Sequence, residues 1–225
     1  MRAVWPSLFC LLMTLTSVVA QAPAPAGVDP LDATRREFQQ GNFDAAHAAL
    51  DRVAENDVAK VKVLDMRGMI FLEQKKLDEA VAAFAAAHET EPNFFLPHIH
   101  LADAYLRQGK WTEARNVYDE VVARSNVLIV HERARYGILL SYLAAKDDTG
   151  AKEALDGVAF PTETAAYYYS QAAWAFAHGS TRPGKKWLAT AAEIFAEKDT
   201  AWFARPLVEF GLVKTKPPLI PEIIQ

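Results

Sequence analysis

The sequence predicts an all-α solenoid of about five stacked helix–turn–helix units, closed by a C-terminal capping helix. Three observations predict it. The stretch Phe71–Phe84, FLEQKKLDEAVAAF, returns altered as Tyr105–Tyr118, YLRQGKWTEARNVY, 34 residues further on. The same columns of small and large apolar residues continue before and after that pair. Pro92 and Pro161 stand after the second helix of their units, where a proline stops a helix without costing a ladder bond.

The chain opens on MRAVWPSLFCLLMTLTSVVA, with one cation at Arg2, an apolar centre from Leu8 to Val19 and small residues at Val18, Val19 and Ala20. This is the pattern of a secretory signal peptide over residues 1–20, cut after Ala20, and an uncleaved anchor is the competing reading. The apolar centre is too short to span a bilayer comfortably. Cys10 is the only cysteine and would leave with the signal, so the mature chain is expected to hold no thiol and to suit an oxidising compartment. The expected location is periplasmic or extracellular. Loss of Arg2 takes the net charge from −4 to −5. A mildly acidic chain with dispersed cations does not suit nucleic acid. Residues 21–28, QAPAPAGV, read as a linker that cannot bury a core.

From there the period decides the reading. Ala46, Ala80, Ala114, Ala151 and Gly184 fall in one column, spaced by 34, 34, 37 and 33 residues. Five residues before them stand Gly41, Lys75, Gly109, Lys146 and Gly179, the expected turns. Four residues after stand Leu50, Phe84, Tyr118, Leu155 and Leu188; seven after stand Val53, Ala87, Val121, Val158 and Ala191. Small, large at +4, small or β-branched at +7 is one face of a helix. A glycine, or a lysine that tolerates a turn, ends the helix before it. The small residue lets two helices approach, and the aromatic fills the space beside it. At the start, Asp29-Pro30 reads as a helix cap followed by a proline at the first helical position.

At these residues the chain resembles the tetratricopeptide repeat family, whose unit is a 34-residue helix–turn–helix. The second unit, with Leu64, Gly68, Phe71, Leu77, Ala80, Phe84, Ala87 and Pro92, is the fullest match. The third, with Leu101, Ala102, Tyr105, Gly109, Trp111, Ala114 and Tyr118, has Asn126 in place of the closing proline. The resemblance spans residues 29–197, as units at about 29–58, 61–94, 95–128, 132–163 and 165–197. It implies a right-handed superhelix with the first helix of each unit inside. The capping helix is expected over 198–213, with Pro206 kinking or dividing it. An extended, proline-rich tail is expected over 214–225.

The family register also implies a partner-binding groove. Its lining would be Lys62, Asp65, Met69, Leu72, Leu96, Ile99, Asp103, Leu106, Arg107, Arg133, Tyr136, Leu140, Tyr169 and Phe176. This mixture suits an extended peptide or an amphipathic helix. The asparagines of a carboxylate clamp are missing from the ninth positions, which are Arg35, Met69, Asp103, Leu140 and Ala173. No catalytic motif stands out: the sequence has no HExxH, no phosphate loop and no nucleophile elbow. His98 and His100, two apart on a helix, point to nearly opposite sides and do not share one ion. No cofactor or metal is expected. In the run AAYYYSQAAWAF, three consecutive tyrosines spread over ~200°, so at least one must leave the core. The reading is therefore a non-catalytic, exported binding or scaffolding module for a protein partner of the cell envelope. Self-association, or a structural spacer in an outer-membrane or peptidoglycan complex, is the alternative.

Overall fold

The computed structural model describes residues 29–53, 60–158 and 160–214; the expected signal, the linker and the tail beyond Lys214 lie outside the described residues. Among the described residues there are α-helices and no strand. They form five antiparallel hairpins: α1 (Asp32–Gln39) with α2 (Phe43–Leu50), α3 (Lys60–Glu73) with α4 (Leu77–Thr90), and α5 (Leu96–Arg107) with α6 (Trp111–Arg124). Then come α7 (Leu128–Ala145) with α8 (Asp148–Asp156), and α9 (Ala166–Ala177) with α10 (Thr181–Ile194). A last helix, α11 (Glu197–Glu209), has no hairpin partner among the described residues.

The turns are where the spacing predicts them. Gly41, Lys75, Gly109, Lys146 and Gly179 all have positive φ, between 59° and 78°. Each ends a first helix in the same way. The amide one residue beyond the turn residue reaches back five residues to close the loop: Asn42 to Glu37, Lys76 to Phe71, Lys110 to Tyr105, Asp147 to Tyr142 and Ser180 to Ala175, at 2.8–3.0 Å. This satisfies carbonyls that the helix end would leave bare. It also aims the chain back along its own first helix.

The small-residue column lies at the contact between helices. Ala46, Ala80, Ala114 and Ala151 are wholly buried, as are Phe84 and Tyr118 one turn on. The rings fill space that small residues leave. A methyl group at Gly68 would stand 2.4 Å from the Phe84 ring within one hairpin, and one at Gly137 would stand 2.3 Å from the Tyr118 ring across two hairpins. One apolar core runs through α1–α5 and a second through α5–α7 and α9–α11, with a smaller one between α7 and α8; Tyr105 and Val117 pack against the first two.

The curvature follows from which helices touch. Successive first helices pack on one another, α3 on α5, α5 on α7 and α7 on α9, whereas α4, α6, α8 and α10 have no comparable contact among themselves. The first helices therefore lie on the inner, concave side.

Two expectations are corrected. Helix α1 starts at Asp32, so Asp29-Pro30 forms a turn before it and not its first residues. The Asp29 carboxylate accepts the Leu31 amide at 2.9 Å. Pro206 does not divide α11, which runs on to Glu209. The proline removes one donor near the helix end, and the buried neighbours Phe203 and Leu207 hold the turn in place.

Two kinds of substitution should move stability in opposite directions. Gly68→Ala overpacks the Phe84 contact and should lower stability by about 1–3 kcal/mol. Lys146→Gly and Lys75→Gly remove a side chain from the left-handed region and should each raise it by about 1 kcal/mol. Urea denaturation of the three variants beside the parent reads both signs.

Candidate functional site

The concave face is occupied by the chain's own last helix. Helix α11 lies against α7, α9 and α10. Its Trp202, Phe203 and Leu207 are buried among first-helix residues Ile99, Leu106, Tyr136, Leu140 and Tyr169. The Tyr136 hydroxyl donates to the Phe203 carbonyl at 3.1 Å, and the Phe203 ring lies 5.8 Å from that of Tyr136 and 6.1 Å from that of Tyr169. Further along, Arg205 pairs with Glu73 at the end of α3 and with Glu209 on its own helix. Arg107, at the end of α5, also pairs with Glu209. The helix thus crosses the concave side from the fifth hairpin to the second.

The expected groove residues divide into groups. Tyr136, Tyr169 and Arg107 contact α11 directly. Arg133 is buried, its guanidinium 5.7 Å from the Trp202 ring and bonded to both Asp103 oxygens at 2.7 Å. Asp103 also accepts from the Tyr118 hydroxyl. Ile99, Leu106 and Leu140 are buried in the same core, with Leu96 half-buried against it. Met69 and Leu72 belong to the N-terminal core, and Lys62 is exposed. Asp65 turns to α5, where it meets His100 Nδ1 at 2.7 Å. Phe176 packs over Gly184 on α10 and so faces its hairpin partner. The apolar members expected to face solvent are therefore largely covered.

The electrostatics follow from this burial. Burial, and then the Asp103 charge, push the Tyr118 phenol well above its ordinary pKa. Burial does the same to Tyr136, against the pull of Arg133. Both phenols stay neutral and act as donors. Burial lowers the Arg107 guanidinium, with Glu209 opposing it. Burial followed by the neighbouring His88 brings His98 down to about 4. These ion pairs tie helices together across the concave side.

Trp202, Phe203, Arg205 and Glu209 are the site residues that the sequence reading placed only in a cap on the fifth unit. A signal was present. Gly211 has φ 68°, and the Leu212 amide returns to the Leu207 carbonyl at 2.9 Å, the same turn as in every hairpin. Gly211 follows Gly179 by 32 residues, so α11 stands where the first helix of a sixth unit would be.

Hairpins of this length, stacked with one helix of each inside, define a helical-repeat protein. Tetratricopeptide repeat models match residues 31–93 and 100–166, more than half of the chain, and another matches 71–126. The chain belongs to the tetratricopeptide repeat family, which is in general a fold for protein interaction. Among solved structures it is similar to a tetratricopeptide repeat protein from Parabacteroides merdae ATCC 43184, at 17% identity and a TM-score of 0.53, over 81% of this chain and 73% of that one. Another match, described as "MamA MSR-1 C2", has 14% identity and a TM-score of 0.48, over 73% of this chain and 94% of that one. None of the curated proteins matches it significantly. No described helix is long and apolar enough to cross a membrane.

The seat of α11 predicts a coupling across the sequence. In a double-mutant cycle of Glu73→Ala and Arg205→Ala, an interaction of about 0.5–3 kcal/mol is expected from urea denaturation. Strictly additive effects would place α11 away from the second hairpin.

Proposed function

We propose that the protein is an exported adaptor that acts by binding and not by catalysis. In this reading it takes a helical segment of a cell-envelope partner into the groove of its first helices, in exchange with α11. The observation that carries the reading is α11 itself. It has the character of a groove ligand: adjacent aromatic anchors at Trp202 and Phe203, Leu207 one turn on, and an Arg205/Glu209 couple that meets Glu73 and Arg107. Apolar anchors supply affinity in helix-in-groove recognition, and the charges fix direction. A tethered helix acts at an effective concentration in the millimolar range. If it is seated 99% of the time, a partner's apparent affinity falls about 100-fold. The partner must therefore match α11 closely, and that requirement is a source of specificity. Export rests on the N-terminal pattern of residues 1–20.

One observation favours a second reading. Phe160 is 63% exposed, and its ring contacts Tyr167 at 4.7 Å and Tyr168 at 6.5 Å. Trp187 and Phe195 extend that group through Tyr168, and Ile194 beside it is exposed. Such an aromatic patch suits the centre of an interface, with a partner or with a second copy.

Capture from envelope extract by the mature chain separates the two. Arg205→Ala with Glu209→Ala loosens the far end of α11 and should increase recovery of the same partner several-fold. Phe160→Ala with Trp187→Ala should leave recovery unchanged. Loss of the partner in the second variant, with no gain in the first, would move the binding site to the aromatic patch. Both variants must first show parental helicity by circular dichroism.

A further inference from the structure

The ends of three helices meet at the edge where one hairpin passes to the next. His88 lies in the last turn of α4, His98 near the start of α5 and Glu120 in the C-terminal part of α6. One ring nitrogen from each histidine and one carboxylate oxygen of Glu120 lie within 4.8 Å of one another. The histidine rings are 4.0 Å apart. His98 is wholly buried, and its Nδ1 faces the Phe94 carbonyl at 3.1 Å. A carbonyl only accepts, so Nδ1 carries the proton and Nε2 presents its lone pair. That Nε2 is buried and has no hydrogen-bond partner among the described residues, and the same is true of His88 Nδ1. Leaving a buried polar atom unpaired is costly, so an acceptor of this kind points to a missing donor or ion. Glu120 receives Arg124 on Oε1, while Arg124 is also held by the Pro92 carbonyl and Asn93 Oδ1. Oε2 therefore remains available. The Phe95 ring, 5.4 Å from that of His98, forms the apolar side of the cluster.

We propose that His88, His98 and Glu120 form a binding site for a divalent cation of the zinc class. Two neutral imidazoles and one carboxylate are a donor set that zinc accepts, with water in the fourth position. The Phe94 carbonyl on Nδ1 of His98 is the outer-shell contact that orients a metal-bound imidazole. Ligand atoms around tetrahedral zinc stand about 3.4 Å apart. Closure from 4.8 Å is a matter of rotating His88 and Glu120, both only half-buried. Arg124 keeps its anchors on Pro92 and Asn93 as Glu120 turns. A bound ion would join the second hairpin to both helices of the third, and so act as a staple between repeats.

The test uses the mature chain without a polyhistidine extension, stripped of metal. Isothermal titration with zinc chloride should give one ion per chain. His88→Ala and His98→Ala should abolish binding, and Glu120→Gln should weaken it at least tenfold. His178→Ala, at the end of α9 and paired with Asp148, should bind as the parent does. Cobalt(II) should give visible absorption of low-coordinate type in the parent and lose it in His88→Ala. Because His88 is half-buried, that variant should fold even if His98→Ala does not. Absence of stoichiometric binding, or binding that survives in His88→Ala, overturns the site.

Discussion

The structure depends on one contact: a ring set against a residue with almost no side chain, where two helices cross. Phe84 lies over Gly68 and Tyr118 over Gly137, so closely that a single methyl group could not be added. The buried alanines at 46, 80, 114 and 151 serve the same close approach. A hairpin built this way still presents an apolar face to each side. It is stable only between neighbours, and the stack needs something different at its end. The fifth hairpin meets that need with α11, half of a further unit, ended by Gly211 in the same left-handed turn as the rest.

A half unit has a freedom that a whole hairpin lacks. With no second helix of its own among the described residues, α11 leans across the concave side until Arg205 meets Glu73, 132 residues away in sequence. Buried Arg133, paired with half-buried Asp103, and the Tyr136 hydroxyl hold the floor on which Trp202 and Phe203 rest. A solenoid whose units touch only their neighbours melts nearly additively. This contact joins the second hairpin to the terminal helix, so loss of α11 is felt well beyond the fifth unit.

Much of the fold is legible in the sequence because its demands are local. A helix must end in a left-handed residue, and glycines or tolerant lysines stand at all five places. Close helices need a small residue, and that column is unbroken. The occupant of the groove is not legible in this way. The spacing of Trp202, Phe203 and Leu207 says that α11 needs an apolar surface, not which one. No local pattern links Arg205 to Glu73 or Glu209 to Arg107. The same holds for the histidines. Adjacency draws the eye to His98 and His100, and helix geometry separates them, His100 toward Asp65 and His98 toward His88. The cluster draws on three helices, so no sequence spacing announces it.

The three tyrosines of α9 show how one short run can serve two surfaces. Successive residues turn ~100° about the helix. Tyr169 therefore faces inward, against Phe203, while Tyr167 and Tyr168 face Phe160 and Trp187 on the other side. The first contact belongs to the seat of α11, and the second to an exposed aromatic group. Phe195, which touches Tyr168, lies two residues before α11 begins. A helix leaving the groove would pivot close to that ring, because the chain between Phe195 and Glu197 is too short to move independently. Exchange of α11 for a partner helix would thus disturb the packing of the aromatic patch, and binding at the patch would bias α11. The seat of α11 and the aromatic group thus share α9, and the short link from Phe195 to Glu197 joins the one to the other.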